Sequence, residues 1–151
     1  MKLAKLGKKD VSATARLLRE YWETRGMKYS QTWAEGYVRK GHKAEIKEDL
    51  FFTAKDGEKV LGAMSVIIYE GNVAELRDFV VDPEFRGKGL GHKIISEILT
   101  ILKERKVRKA CALIFRQYEE FYKEFGFGKE GILKSHFAEG EDLMIVSKFL
   151  K

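Results

Sequence analysis

Residues 86–91 read RGKGLG, with glycines at every second position, Gly87, Gly89 and Gly91. Arg86, Lys88, His92 and Lys93 surround them. A strand-like apolar run, Phe79, Val80 and Val81, comes before and is closed by Asp82 and Pro83, the chain's one proline. An apolar pattern of helical period comes after, beginning at Leu90. Glycine adopts positive φ at no steric cost and lets a backbone approach a ligand closely. The first N–H groups of a helix have no intrahelical partner, and with the helix dipole they form an anion site. Arg86, Lys88 and Lys93 add positive charge. The chemistry this spacing suits is the holding of a phosphate by the N–H groups of residues 87 to 92. The plainer reading is a glycine-rich turn that only joins strand to helix.

Two common phosphate cradles are excluded. A nucleotide P-loop needs GxxxxGK[ST], which is absent. A dinucleotide fingerprint needs GxGxxG directly after a strand. Here the glycines run GxGxG, His92 stands where the last glycine is required, and "DPEFR" intervenes.

The elements that must position this segment follow from periodicity. "LAKL", residues 3–6, opens like a short strand. "KKDVSATARLLREYWETRG" predicts a helix with Val11, Ala15, Leu18 and Trp22 on one stripe and Gly26 at its end. "SQTWAEGYVRKG" predicts a second helix, capped by Ser30 and stopped by Gly41. Residues 49–83 hold three strand-like runs, with turns at Asp56-Gly57 and Gly71-Asn72. After the glycines, Leu90, Ile94, Ile98, Ile101 and Leu102 define an amphipathic helix. "KACALIF" reads as a buried strand, so strand, helix and strand imply a parallel crossover. "RQYEEFYKEFG" reads as a short helix ended by Gly126, and a hairpin turning at "AEGE" closes the chain. The fold class is α/β. It is a single domain over residues 1–151, with a mixed, mostly antiparallel sheet, helices on both faces and the order β-α-α-β-β-β-α-β-α-β-β.

The composition narrows the function class. A 44% hydrophobic and 34% charged share over 151 residues is globular. No apolar run approaches the ~18 residues of a membrane span, and the N-terminus has no signal-peptide core. The single cysteine, Cys111, excludes an internal disulfide and reads as a core thiol. These features predict a cytoplasmic protein with no membrane partner. The net charge of +6 suits an anionic ligand. Because lysines and glutamates alternate without a basic block, a small anion ranks above nucleic acid. No metal-ligand spacing is present. A homodimer is compatible with the sequence.

The glycine segment resembles the [R/Q]-x-x-G-x-[G/A] motif of the Gcn5-related N-acetyltransferases (GNAT), matched by Arg86, Gly89 and Gly91 with the lead-in "FVVDPEF". About thirty residues on, "EEFYKEFGF" resembles the family's Tyr-x-x-x-Gly-Phe, through Tyr122, Gly126 and Phe127. The closing hairpin and the element order are also similar. One departure is the missing asparagine after the strand that follows the main helix. There the chain reads "FRQYEE", and Gln117 or Arg116 stands in its place, or the contact is absent.

The resemblance implies acetyl transfer from acetyl-CoA to a primary amine by direct attack, with no acyl-enzyme. The acceptor is a small-molecule, peptide or protein amine of unknown identity. The cofactor-binding residues it implies are Phe79, Val80 and Val81 for the pantetheine arm, with Val80's N–H polarising the thioester carbonyl. Arg86, Gly87, Lys88, Gly89, Leu90, Gly91 and His92 would hold the pyrophosphate, with Gln117 beyond; His92 reads equally as an exposed helix histidine. Tyr122 is implied as the proton donor to the leaving thiolate, or is a packed aromatic. Glu75, eleven positions before Arg86, is implied as the general base. Asp78, on the opposite face of a regular strand, and a water chain are the alternatives. The family's first two helices wall the acceptor site. Trp33 is the ligand candidate there and Trp22 the packing one, with His136 of the last hairpin as another approach. The rival functions are an acyl-CoA-binding sensor without catalysis, and a transferase acting on a nucleic-acid-associated acceptor.

Overall fold

The computed structural model describes residues 3–151. It divides into two units, the first running to Ile46 and the second spanning Lys47–Lys151.

The first unit is a helical hairpin of α1 (Val11–Glu23) and α2 (Gln31–Lys40). Val11 and Ala15 of α1 and Ala34 of α2 are buried, whereas Leu18 and Trp22 are half-buried. Ser30 caps α2 as expected, its Oγ accepting the Trp33 N–H at 3.1 Å. Gln31 ties the helices together, donating to the Ser12 carbonyl at 3.1 Å. The expected first strand does not form: residues 3–7 have no regular structure, and Leu3 is 94% exposed. A four-residue run has few ladder hydrogen bonds to offer, and no strand pairs with this one.

The second unit holds β1 (Ile46–Asp56), β2 (Lys59–Tyr69), β3 (Val73–Val81), α3 (Leu90–Glu104), β4 (Lys109–Ile114), α4 (Glu119–Glu124), β5 (Gly128–Ala138) and β6 (Glu141–Phe149). The six strands form one sheet in the order β1-β2-β3-β4-β6-β5. β3 and β4 pair parallel, with α3 as their crossover; β2–β3, β4–β6 and β5–β6 pair antiparallel.

One sheet face carries the core. Val66 pairs with Leu76, Leu76 with Ala112, and Ala112 with Val146, all at most 3% exposed. α3 packs on this face through Ile94, Ile95, Ile98, Leu99 and Leu102. The stripe is rotated from the sequence expectation: Ile95 and Leu99 are buried, and Ile101 is only half-buried. Aliphatic burial of this kind contributes roughly 1.5–3 kcal/mol per side chain.

The sheet is interrupted once where it matters. The β2–β3 register runs Gly62↔Val81, Ala63↔Val80 and then shifts to Ser65↔Arg77. Asp78 and Phe79 therefore oppose the single residue Met64, which is a β-bulge. Asp78 lies at φ +47°, a region that residues with a Cβ seldom enter. The parallel β3–β4 ladder ends at Leu76↔Ala112. Beyond it, β3 stays with β2 and β4 stays with β6, so the middle of the sheet parts.

Candidate functional site

The parted strands open a cleft of about 790 Å³ in the second unit. β3 contributes Leu76 to Val81, the turn and first residues of α3 contribute Arg86, Gly87 and Gly89 to His92, and β4 contributes Leu113 and Ile114. Phe85, Phe115, Tyr118, Phe121 and Tyr122 complete the lining.

The helix end of this cleft presents free backbone N–H groups, the arrangement that suits an anion. Gly87 and Gly89 lie at φ +73° and +79°, and nothing stands within 4 Å of the space a Cβ would take there. No side chain caps α3. The first intrahelical bond is Lys93 N–H to the Gly89 carbonyl at 3.1 Å, so the N–H groups of Leu90, Gly91 and His92 have no i−4 acceptor. At Gly91 a Cβ would rest in van der Waals contact with the Phe79 ring at 3.4 Å and the Phe121 ring at 3.7 Å. Arg86 is a tether as well as a charge, since its Nε donates to the Val81 carbonyl at 3.0 Å. That bond fastens the glycine turn to the parted edge of β3.

Along that edge the available donors differ from the expectation for Val80. Asp82 gives its N–H to the Leu61 carbonyl at 2.8 Å. Pairs in an antiparallel ladder alternate, so Val80, opposite Ala63, also turns its N–H to β2. Val81 faces the cleft edge instead, and the bulge leaves one residue of the pair Asp78–Phe79 without a ladder partner. The open donors therefore belong to Val81 and the bulge, and Val80's exposed side chain is what that residue offers.

Tyr122 sits deep in the cleft wall, 5% exposed, with Phe121 and Phe127 edge-on at 5.5 and 5.3 Å. Among the described residues its hydroxyl has no hydrogen-bond partner, and burial pushes its pKa up to about 12. It is a neutral O–H donor facing an apolar space. His92 Nε2 lies 2.6 Å from a Glu124 carboxylate oxygen and its ring abuts Phe121, bridging α3 to α4.

Several sequence-predicted residues lie outside the cleft lining. Lys88 stands over the Phe85 ring at 5.3 Å, which places its ammonium beside the turn. Gln117 is exposed in the one-turn helix Arg116–Tyr118. His136 is exposed on β5. Cys111 is half-buried where a core thiol was expected; it donates to the Ala74 carbonyl at 3.4 Å, and burial raises its pKa. Glu75 is on β3, on the sheet face away from α3. Its Oε2 accepts from the Tyr69 hydroxyl at 2.8 Å, and its Oε1 lies 3.7 Å from Arg77 Nε. Burial, then the Glu75 bond, pushes Tyr69 up to about 12.

The cleft also contains residues the sequence did not single out: Arg77, Phe85, Phe115, Tyr118 and Phe121. Phe121 had a usable signal, because it precedes Tyr122 in the matched motif and its ring lies against Phe79 at 6.0 Å. In the first unit Trp33 stacks with Tyr29 at 4.1 Å and with Tyr37 at 5.6 Å between ring centroids, with Trp22 edge-on. Its ring is engaged by the protein's own aromatics.

This architecture has relatives. Residues 13–127 match the acetyltransferase (GNAT) family model, and the chain belongs to that family. An uncharacterized N-acetyltransferase of Methanocaldococcus jannaschii is 30% identical over 111 residues, which cover 68% of this chain and 48% of that relative. The chain thus spans about half the length of that protein. Among solved structures, an acetyltransferase from Bacillus cereus shares the fold at TM-score 0.66 and 19% identity, covering 99% of this chain and 98% of the other. The PaiA N-acetyltransferase of Thermoplasma acidophilum, solved with coenzyme A, aligns at TM-score 0.55 and 24% identity over 98% of both chains.

Proposed function

We propose that the protein transfers an acetyl group from acetyl-CoA to a primary amine by direct attack. The observation that carries this reading is the cleft between β3 and β4, which runs from an uncapped helix start to the buried side chain of Tyr122. The coenzyme A in the Thermoplasma relative and the family membership support the same donor. The alignments over 97–100% of the chain support residues 1–151 as one N-acetyltransferase domain. Among the described residues no helix is long and apolar enough to cross a membrane. A cytoplasmic location and a homodimer remain part of the proposal, open to fractionation and light scattering.

In this reading the pyrophosphate rests on the N–H groups of residues 87 to 92, with Arg86, Lys88 and Lys93 supplying charge. The amide-bearing arm pairs with the parted edge of β3 as an added strand, using Phe79 and Val81. An open N–H of the bulge polarises the thioester carbonyl, and Tyr122 protonates the leaving sulfur. Preorganised donors of this kind act where charge develops, so they lower the barrier without reorganising.

A lysine-like ammonium with a pKa near ~10.4 is about 3.4 units from neutral at pH 7, a cost of roughly 4.6 kcal/mol. A carboxylate of β3 or a water chain must therefore help remove its protons. The test is titration calorimetry with acetyl-CoA, followed by free-thiol detection against spermidine, lysine peptides, kanamycin and peptide N-termini. Binding with thiol release supports transfer. Binding with no release from any amine points to a sensor. Acceptor affinity that falls steeply with salt points to a nucleic-acid-associated acceptor.

A further inference from the structure

We propose that Asp78, held by Ser65, takes the proton from the attacking amine, and that Glu75 is instead a fixed structural clamp. The proposal rests on the acetyl-transfer reading above and names the proton acceptor of that site.

Among the described residues Asp78 is the one carboxylate that lines the cleft. It occupies the bulge, directly beside the unpaired backbone group that would meet the thioester carbonyl. Its φ of +47° lies in the left-handed region, which Asp enters more readily than most residues with a Cβ. The bulge also breaks the regular alternation. Asp78 would otherwise face the core side, but its Oδ2 accepts the Ser65 hydroxyl at 2.5 Å. Ser65 opposes Arg77 and lies two residues before Ile67, the register partner of Glu75. The Asp78 carboxylate therefore sits on the same sheet face as Glu75, away from α3.

The two carboxylates differ in what they have left to offer. Glu75 has Tyr69 on one oxygen and Arg77 near the other, and it does not line the cleft. Asp78 has one oxygen engaged, and its Oδ1 has no partner among the described residues. Ser65 is 3% exposed, so its hydroxyl is a buried anchor that fixes the orientation of Oδ1. Ser65 is a positioning residue; Asp78 is the group that meets the amine.

The step balances as follows. The ammonium gives its first proton to Asp78, its nitrogen attacks the carbonyl carbon, and the C–S bond breaks with its electron pair on sulfur. Tyr122 protonates that sulfur. The nitrogen, made acidic by the new C–N bond, then passes its second proton on through water. One of the two protons restores Tyr122 and the other leaves to water, so the net release is one proton per amide formed.

Asn and Gly both tolerate positive φ, so Asp78→Asn and Asp78→Gly remove the carboxylate while keeping the bulge. Both should bind acetyl-CoA as the wild type does in calorimetry. For the amine with highest turnover, their kcat/KM at pH 7 should fall by ~10²- to 10⁴-fold. The deficit should shrink as pH approaches the amine pKa near ~10.4. Ser65→Ala should give a smaller loss in kcat with the same pH trend, and Glu75→Gln a modest loss with a profile parallel to wild type. Asp78 variants within about threefold of an active wild type, or a pH-independent loss in them, would overturn the assignment of Asp78 alone. So would a pH-dependent loss that belongs to Glu75→Gln. A wild type that binds acetyl-CoA but acetylates no amine would overturn the transfer reading and this proposal together.

Discussion

The two halves of β3 behave as different materials. From Ala74 to Leu76 the strand is paired on both sides, and Ala74 and Leu76 point into the core. From Arg77 to Val81 it keeps β2 on one side and loses β4 on the other. The first half is ordinary sheet interior. The second has backbone donors, a carboxylate at positive φ and an aromatic side chain at a cleft. Nine residues thus serve both as scaffold and as site, and the change occurs at the bulge. The lesson is that a binding groove can be made by ending a ladder early, with no added loop or domain.

The comparison breaks hardest at the glycine turn. Gly89→Glu puts a negative side chain at a φ of +79° where the anion belongs, and acetyl-CoA binding should vanish from calorimetry while far-UV circular dichroism is retained. Unchanged affinity would remove the phosphate-cradle assignment. The next effect belongs to the closed end. Tyr122→Phe should keep acetyl-CoA affinity and lower turnover by ~10²- to 10⁴-fold. Because its pKa is raised to about 12, the wild-type rate should show no alkaline limb from tyrosine near pH 10. The sign for stability is the same: Tyr122 contributes fully below its unfolded value near ~10, and that contribution is lost as pH rises through about 12. An alkaline limb at pH 10 that disappears in the phenylalanine variant would contradict the assigned environment.

The smallest effects separate the two kinds of strand. Ile68→Ala, opposite Ala74 in the paired half, should cost ~2–5 kcal/mol in urea unfolding and leave the KM for acetyl-CoA near wild type. Val80→Ala, with a side chain 51% exposed, should cost well under ~1 kcal/mol. A large stability loss at Val80 would mean the open half is packed after all.

How far the sequence reached follows the same division. Periodicity exposed α3, the parallel crossover and the turn at its start, because Ile94, Ile98 and the alternating glycines are local signals. Ser30 was legible as a cap for the same reason. The bulge was not, since aspartate at positive φ has no sequence mark, and so Val80 was assigned a donor that its register turns toward β2. Glu75 was chosen by spacing along a strand assumed regular, whereas register and hydrogen bonding distinguish it from Asp78. Residues 3–6 carry strand-like apolar spacing, but pairing needs a partner that no local pattern can guarantee. Trp33 carried the right chemistry for a cation, and only the structure shows its ring stacked with Tyr29 and Tyr37.

That stack makes the chain its own two-colour thermometer. Both tryptophans, Trp22 and Trp33, belong to the helical hairpin before Ile46, with ring centroids 5.8 Å apart. The strands beyond contain none. Emission excited at 295 nm therefore reports melting of the hairpin, while the far-ultraviolet β signal reports the sheet. Coincident transitions on heating would mean one cooperative block. An earlier loss of emission would mean that the hairpin loosens while the cleft stays formed, and thiol release measured between the two midpoints would show whether turnover needs it.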